Sequence, residues 1–283
     1  MMQINNIPIY ESYGDEKSIA LLDNSVIGFM NQLSYAGHIP EVVLNNYDVI
    51  LIPQWVMEEV KDAEHRMHYI EGLIEKGFPI KIIPETLYGT LIDEKEIDLY
   101  HIVHAAVSRI GVMLKYMRQN VEKPDLLDLD SYEAWIQKLY DNWPIESEHT
   151  SSGRQKKKNA GEISLTILAE IFSWNFSELD TLTVYTHDRD SYDFQKNAEE
   201  RLKEYYKDRS PISVSYKSND AIICQLYRLN ELDQEQIRTI RRNERIVTYT
   251  QRREDDAVTL EVRNKNSEEF IQLIEDVSVQ IIF

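Results

Sequence analysis

One cysteine, Cys224, stands in 283 residues, which excludes an intramolecular disulfide framework and any metal site built from thiolates alone. No apolar run approaches the ~20 residues of a membrane-spanning helix. The opening MMQINNIPIYESYGDEK has neither a basic start nor an apolar signal core, so a cytoplasmic chain with no membrane partner is expected. No P-loop, dinucleotide-binding glycine pattern or CxxC occurs, which leaves nucleotide-dependent and zinc-ribbon functions without support. Positive charge is also short: 31 Lys and Arg against 49 Asp and Glu leave a net charge of −18. A phosphate backbone is therefore repelled over most of the surface, and a nucleic-acid ligand needs local help.

What is present suits a globular protein, since 42% of the residues are apolar and can fill a substantial core. Cys224 itself, inside DAIICQLYRL, reads as a core residue. Two basic segments offer the local help. One is Arg154 with Lys156, Lys157 and Lys158; the other is Arg238, Arg241, Arg242 and Arg245, whose spacings of three and four put most of them on one face of a helix. Either group equally suits solvated charge, or pairing with the protein's own carboxylates.

Along the chain, short apolar runs alternate with helical stretches. IALL, DVILIP and IKII read as strands, VIGFMNQLSYAG as a helix, and QWVMEEVKDAEHRMHYIEGLIEKG as one helix closed by Gly77. From about 86 to 150 the strand signal vanishes and two helical patterns, LYHIVHAAVSRIGVMLKYMRQNV and DSYEAWIQKLYDNW, form an insertion, the second capped by Asp130 or Ser131. ESEHTSSGRQKKKN reads as an exposed loop. The alternation then resumes with AGEISLTILAEIFSWNF, LTVYT, a polar helix near 191 to 207, ISVSY and NDAIICQLYRL. These segments predict an α/β domain over 1–230 with a parallel sheet of about five strands covered on both faces. Residues 231–283 read as a small α+β appendage: an Arg-rich helix, two antiparallel strands (RIVTYTQ and AVTLEVR), a helix at EEFIQLIED and a terminal strand.

Carboxylates fall at telling places. Asp23 ends the first strand, at the carboxyl edge where open parallel sheets bind ligands. Glu59 lies in the helix after the second strand, Glu162 opens the helix of NAGEISL, and Asp188 and Asp190 follow the fourth strand. Singly, each has an ordinary reading as a helix cap or a first-turn acid. Together, unpaired carboxylates at one edge repel unless a cation sits among them. Oxygen-only ligands point to Mg²⁺ or Mn²⁺.

On these residues the chain resembles the PIN-domain family over roughly residues 17 to 229, apart from about 86 to 158. LLDNSVI is similar to the family's opening strand, with Asp23 and Ser25; PQWVMEEV resembles its second motif at Glu59, with Glu58 as the alternative register. GEISL resembles the central acidic motif at Glu162, and VYTHDRDSYDF the closing motif, with Thr186, Asp188 and Asp190. The resemblance implies a divalent-metal endoribonuclease. In it Asp23, Glu162 and Asp188 hold the metal, Glu59 and Asp190 complete the shell or orient water, and Ser25 and Thr186 support the site or a phosphate. RNA is then the substrate, and a toxin, a defence effector and an RNA-processing enzyme are all compatible. There is room for a protein partner or inhibitor and for an oligomer.

Rival readings start from the same residues. A DRD after a strand also fits a Toprim-like nuclease acting on DNA, which needs a Glu where Asp23 stands. A haloacid-dehalogenase-like phosphatase needs a second Asp where Ser25 stands. A PIN-like binding protein without catalysis is the rival from another class. His187, inside the closing motif, reads as a surface residue, and His65, His68, His101 and His104 as helix-packing residues.

Overall fold

A computed structural model describes residues 3–4, 7–92, 96–121, 132–146, 148–149, 155–252 and 257–283. Five strands, β1 (Ser18–Leu22), β2 (Val49–Pro53), β3 (Ile80–Ile83), β4 (Thr181–Tyr185) and β5 (Val214–Lys217), form an all-parallel sheet in the order β3-β2-β1-β4-β5. Every residue of β2 is buried, and so are the last four of both β1 and β4, as expected for strands covered on both faces. The expected fold class is what the structure shows.

The helices up to the end of this region are α1 (Asn24–Tyr35), α2 (Gln54–Val60), α3 (Glu64–Glu75), α4 (Glu96–Ala106), α5 (Gly111–Asn120), α6 (Tyr132–Asp141), α7 (Ala160–Asn175), α8 (Arg189–Tyr205) and α9 (Asn219–Arg228), with α4 packed on α7 and α8 rather than on the sheet. Helix α7 is apolar nearly all round and is correspondingly buried over most of its length, packing against α2, α4 and α8. Its burial fixes where its first-turn Glu162 stands. Helix α2 starts directly from Pro53, which gives its first turn no side-chain cap; the buried Glu85 carboxylate accepts the Trp55 N–H at 2.9 Å instead.

Two long helices expected from periodicity are each broken. The helix of residues 54–77 is interrupted at Ala63, whose extended backbone separates α2 from α3; Gly77 closes it with φ +90°, as expected. The pattern of 99–121 breaks before Gly111, where Ile110 is extended and α5 begins. The expected caps Asp130 and Ser131 lie outside the described residues. Within the expected loop, Glu148–His149 pairs antiparallel with Gln155–Lys156.

After α9 come α10 (Gln234–Ile240), β6 (Arg245–Arg252), β7 (Val258–Lys265), α11 (Ser267–Glu275) and β8 (Val279–Ile281); the strands form an antiparallel sheet in the order β7-β6-β8. Both α10 and α11 open with full capping boxes, at Asp233 with Gln236 and at Asn266 with Glu269. Val247, Phe270, Ile271, Ile274 and Val279 of this region belong to the same contiguous hydrophobic core as the parallel sheet. Among the described residues no helix is long and apolar enough to cross a membrane.

Candidate functional site

The order β3-β2-β1-β4-β5 reverses direction between β1 and β4, and the crevice outside their carboxyl ends is the place where such sheets bind ligands. Asp23 follows β1, and its N–H extends the ladder to Tyr185 O at 2.9 Å. Its buried carboxylate is held by three donors: the Asn24 N–H at 2.7 Å on Oδ1, and the hydroxyls of Ser25 at 2.5 Å and Thr186 at 2.9 Å on Oδ2. A carboxylate offers roughly four lone-pair sites, so these bonds orient Asp23 and leave an acceptor direction on Oδ1. Both hydroxyls are fixed in turn, Ser25 Oγ by the His187 N–H at 3.0 Å and Thr186 Oγ1 by the Asp188 N–H at 3.0 Å. Burial pushes the Asp23 pKa up, against the lowering effect of those hydrogen bonds.

Glu162 faces Asp23 from the first turn of α7. Its Oε2 is buried with no hydrogen-bond partner, an arrangement that costs free energy as it stands. Burial first, then the negative charges of Asp23, Glu59 and Asp188, push its pKa to about 8. Glu59, from α2, accepts from Asn24 Nδ2 at 3.3 Å and pairs with Lys156 Nζ at 3.1 Å. Burial raises its pKa, and the Lys156 charge opposes that. Glu58, the alternative register, pairs with Lys61 at 2.6 Å. Asp188 caps α8 through the Asp190 N–H at 2.8 Å, while the Asp190 side chain is exposed. Four of the five carboxylates thus act on one another, and Asp190 stands at the rim.

Asn24 and Arg66 were not singled out in the sequence. Arg66 Nη1 donates to Asn24 Oδ1 at 2.6 Å, so an α3 side chain orients the amide that holds Glu59. The position of Asn24, next to a strand-end Asp, was a usable signal; the placement of Arg66, 42 residues away, was not.

The basic residues are placed differently from expectation. Arg154 lies outside the described residues. Lys156 points into the acidic cluster, where Glu59, Glu162 and Asp23 raise its pKa against desolvation. Lys157 lies over the Tyr140 ring at 3.6 Å, and Trp55 stacks on the same ring. Lys158 is exposed. The Arg row is not a helical face: α10 ends at Ile240, and Arg245 already belongs to β6. Arg241 is buried on Asp220 (Nε–Oδ2 3.2 Å), Arg245 binds the same carboxylate, and Arg238 pairs with Glu268 at 2.5 Å. Arg242 is exposed, with its Nε on Thr239 O. The reading of these arginines as pairing with the protein's own acids describes Arg238, Arg241 and Arg245.

His187 sits at the rim, its pKa lowered by desolvation and then by Arg245. His101 stacks on Tyr205 at 4.2 Å, in keeping with a packing role. His65 and His68, expected to pack, are instead exposed, His68 lying 3.9 Å from the likewise exposed Glu64.

Among the described residues, no three Asp, Glu, His or Cys side chains stand close enough to form a ready-made metal cage. The donor chemistry nevertheless fits a hard dication: all candidate ligands are oxygens, Glu162 Oε2 lacks any partner, and Asp23 keeps a free acceptor direction. No family model, curated protein or solved structure matches the chain.

The raised Glu162 pKa makes a prediction for the metal-free protein. The folded state holds this proton up to about pH 8, the unfolded state only to about 4.5, so stability falls as pH rises between those values. Glu162→Gln is expected to be more stable than the parent above pH 8 and to flatten the decline, checked by urea denaturation with EDTA across that window. Glu85 and Glu170, also at about 8, keep part of the slope in both proteins. Equal slopes would place Glu162 in solvent.

Proposed function

We propose that the chain is a PIN-like, Mg²⁺- or Mn²⁺-dependent endoribonuclease whose site is the carboxylate cluster at the β1/β4 crevice. The observation that carries this reading is the convergence of Asp23, Glu59, Glu162 and Asp188 from four elements, with an unpartnered buried oxygen on Glu162. Asp23, Glu162 and Asp188 would hold the ion, which supplies Lewis acidity to water and to the scissile phosphate. Ser25 and Thr186 fix the Asp23 carboxylate through their hydroxyls, so it need not reorganise when the ion arrives. Asn24, oriented by Arg66, holds Glu59 beside the cluster, where its carboxylate can accept a proton from attacking water. Lys156 neutralises part of the field in the resting protein and offers a cation beside the cluster for a substrate phosphate.

The ion pair between Lys156 and Glu59 favours a second reading, a PIN-like binding protein whose acidic cluster is balanced internally by Lys156. Metal response separates the two. In the nuclease reading Mn²⁺ at about 100-fold over its Kd stabilises the fold by roughly 2.7 kcal/mol, and labelled single-stranded RNA is cut with Mn²⁺ and not with EDTA. Metal binding displaces the Glu162 proton, so affinity rises with pH up to about 8 and levels off above it. A melting curve indifferent to millimolar Mg²⁺ and Mn²⁺, with intact RNA, selects the binding reading.

A further inference from the structure

In the C-terminal sheet, strand β7 lies at an edge: one side is bonded to β6, and the other has no strand among the described residues. It is eight residues long and pairs with β6 without a bulge from Val258 to Lys265. Proteins usually blunt such an edge by shortening it, bulging it, or placing proline or charged side chains on it. VTLEVRNK is neither short nor bulged and holds no proline; its charges, Glu261, Arg263 and Lys265, are of both signs and so can be matched by a partner strand. Alternate residues instead put an apolar row on one face, with Val258 and Leu260 each 61% exposed and Val262 49%, continued on β6 by Ile246 at 50%. The opposite face of this sheet carries Val247, Tyr249, Val279 and Ile281, which are buried.

We infer that two copies of this chain associate edge to edge through β7, antiparallel about a twofold axis at Val262, to make one six-stranded sheet. The charges on the strand select both the partner and the register. Within one copy Glu261 and Arg263 already pair at 3.0 Å. A twofold axis at Val262 sets Glu261 opposite the partner's Arg263 and Arg263 opposite the partner's Glu261, joining the two pairs into one alternating group of four charges, while Val262 meets its own copy and Leu260 meets the partner's Asn264. Opposite charges directly across a strand pair stabilise it, and like charges do the reverse. An axis at Glu261 brings two carboxylates face to face. An axis at Leu260 pairs only Val258 through Val262 within β7 and leaves Arg263 with no charge of the strand opposite it. The Val262 axis pairs Thr259 through Lys265 within β7 and is the one of the three that sets opposite charges across from each other. A closed, isologous contact of this kind removes the edge from both copies. It owes nothing to the nuclease reading, because β7 lies outside the carboxylate cluster.

Sedimentation and cross-linking test it. The parent is expected to sediment as a dimer, and Leu260→Lys/Val262→Lys to weaken association at least about tenfold with an unchanged circular dichroism spectrum. Both side chains point to solvent, so the fold tolerates the change. In an independent measurement, Val262→Cys is expected to give a covalent dimer on mild oxidation, since residues on the axis face their copies within disulfide reach, whereas Leu260→Cys is not. Three results overturn the inference: a parent monomeric at about 0.1 mM, a dimer untouched by the double lysine variant, or cross-linking through Leu260→Cys in preference to Val262→Cys.

Discussion

Asp23→Asn is expected to lower Mn²⁺-dependent RNA cleavage by at least about 100-fold, the upper range for losing mere outer-sphere support of a metal ligand, while leaving the fold intact. The amide is isosteric and can still accept the Asn24 N–H, and the Ser25 and Thr186 hydroxyls can turn to accept where they now donate. What disappears is the negative charge. Because Asp23 is the largest cause after burial of the raised Glu162 pKa, the variant should also let Glu162 ionise at lower pH. The two effects are read separately, cleavage by gel and the Glu162 titration by carboxyl NMR. Glu162→Gln and Asp188→Asn should share the cleavage loss, and Asp190→Asn should lose much less, since its side chain stands in solvent. Cleavage by Asp23→Asn within threefold of the parent would remove Asp23 from the site. A shifted Glu162 titration with no cleavage by the parent would keep the cluster and reject the nuclease.

The placement of that cluster was legible because strand ends are legible. Short buried runs such as SIALL and TLTVY identify parallel strands, and in a parallel sheet every strand's carboxyl end lies on the same edge. Asp23 and Asp188 therefore had to be neighbours once β1 and β4 were adjacent. Helix continuity was less legible. The breaks at Ala63 and Ile110 cost a turn of helical hydrogen bonds that tertiary packing outweighs, and periodicity counts only the apolar face. The arginines were least legible of all. Their spacing alone describes a phosphate-binding row, whereas their actual partners, Asp220 and Glu268, lie 21 to 30 residues away. Composition carried a hint: in a chain with 49 acids to 31 bases, an arginine meets a carboxylate of its own more readily than a solvent-facing vacancy.

Arg241→Met should destabilise the protein by about 3 kcal/mol, the lower end of the range for breaking a buried ion pair. The guanidinium has no exposed surface and satisfies several groups together. Its Nε lies 3.2 Å from both Asp220 oxygens, Nη1 donates to Lys265 O at 2.7 Å, and the group stacks over Phe270 at 4.5 Å. Methionine fills most of the volume but orphans the Lys265 carbonyl and leaves the buried Asp220 to Arg245 alone. That remaining partner is why the loss stays near the lower end. Since Asp220 opens α9 while Lys265 and Phe270 belong to the C-terminal segments, the damage is to the tie between the parallel sheet and the residues after α10. Removing both charges in Asp220→Leu/Arg241→Met leaves no carboxylate to orphan, so the double variant should be more stable than the sum of the two singles, a coupling read from urea midpoints. RNA binding by Arg241→Met should keep the parent's salt slope, because a buried guanidinium releases no counterions. A stability loss under about 1 kcal/mol together with a flattened salt slope would return Arg241 to the surface and to the phosphate.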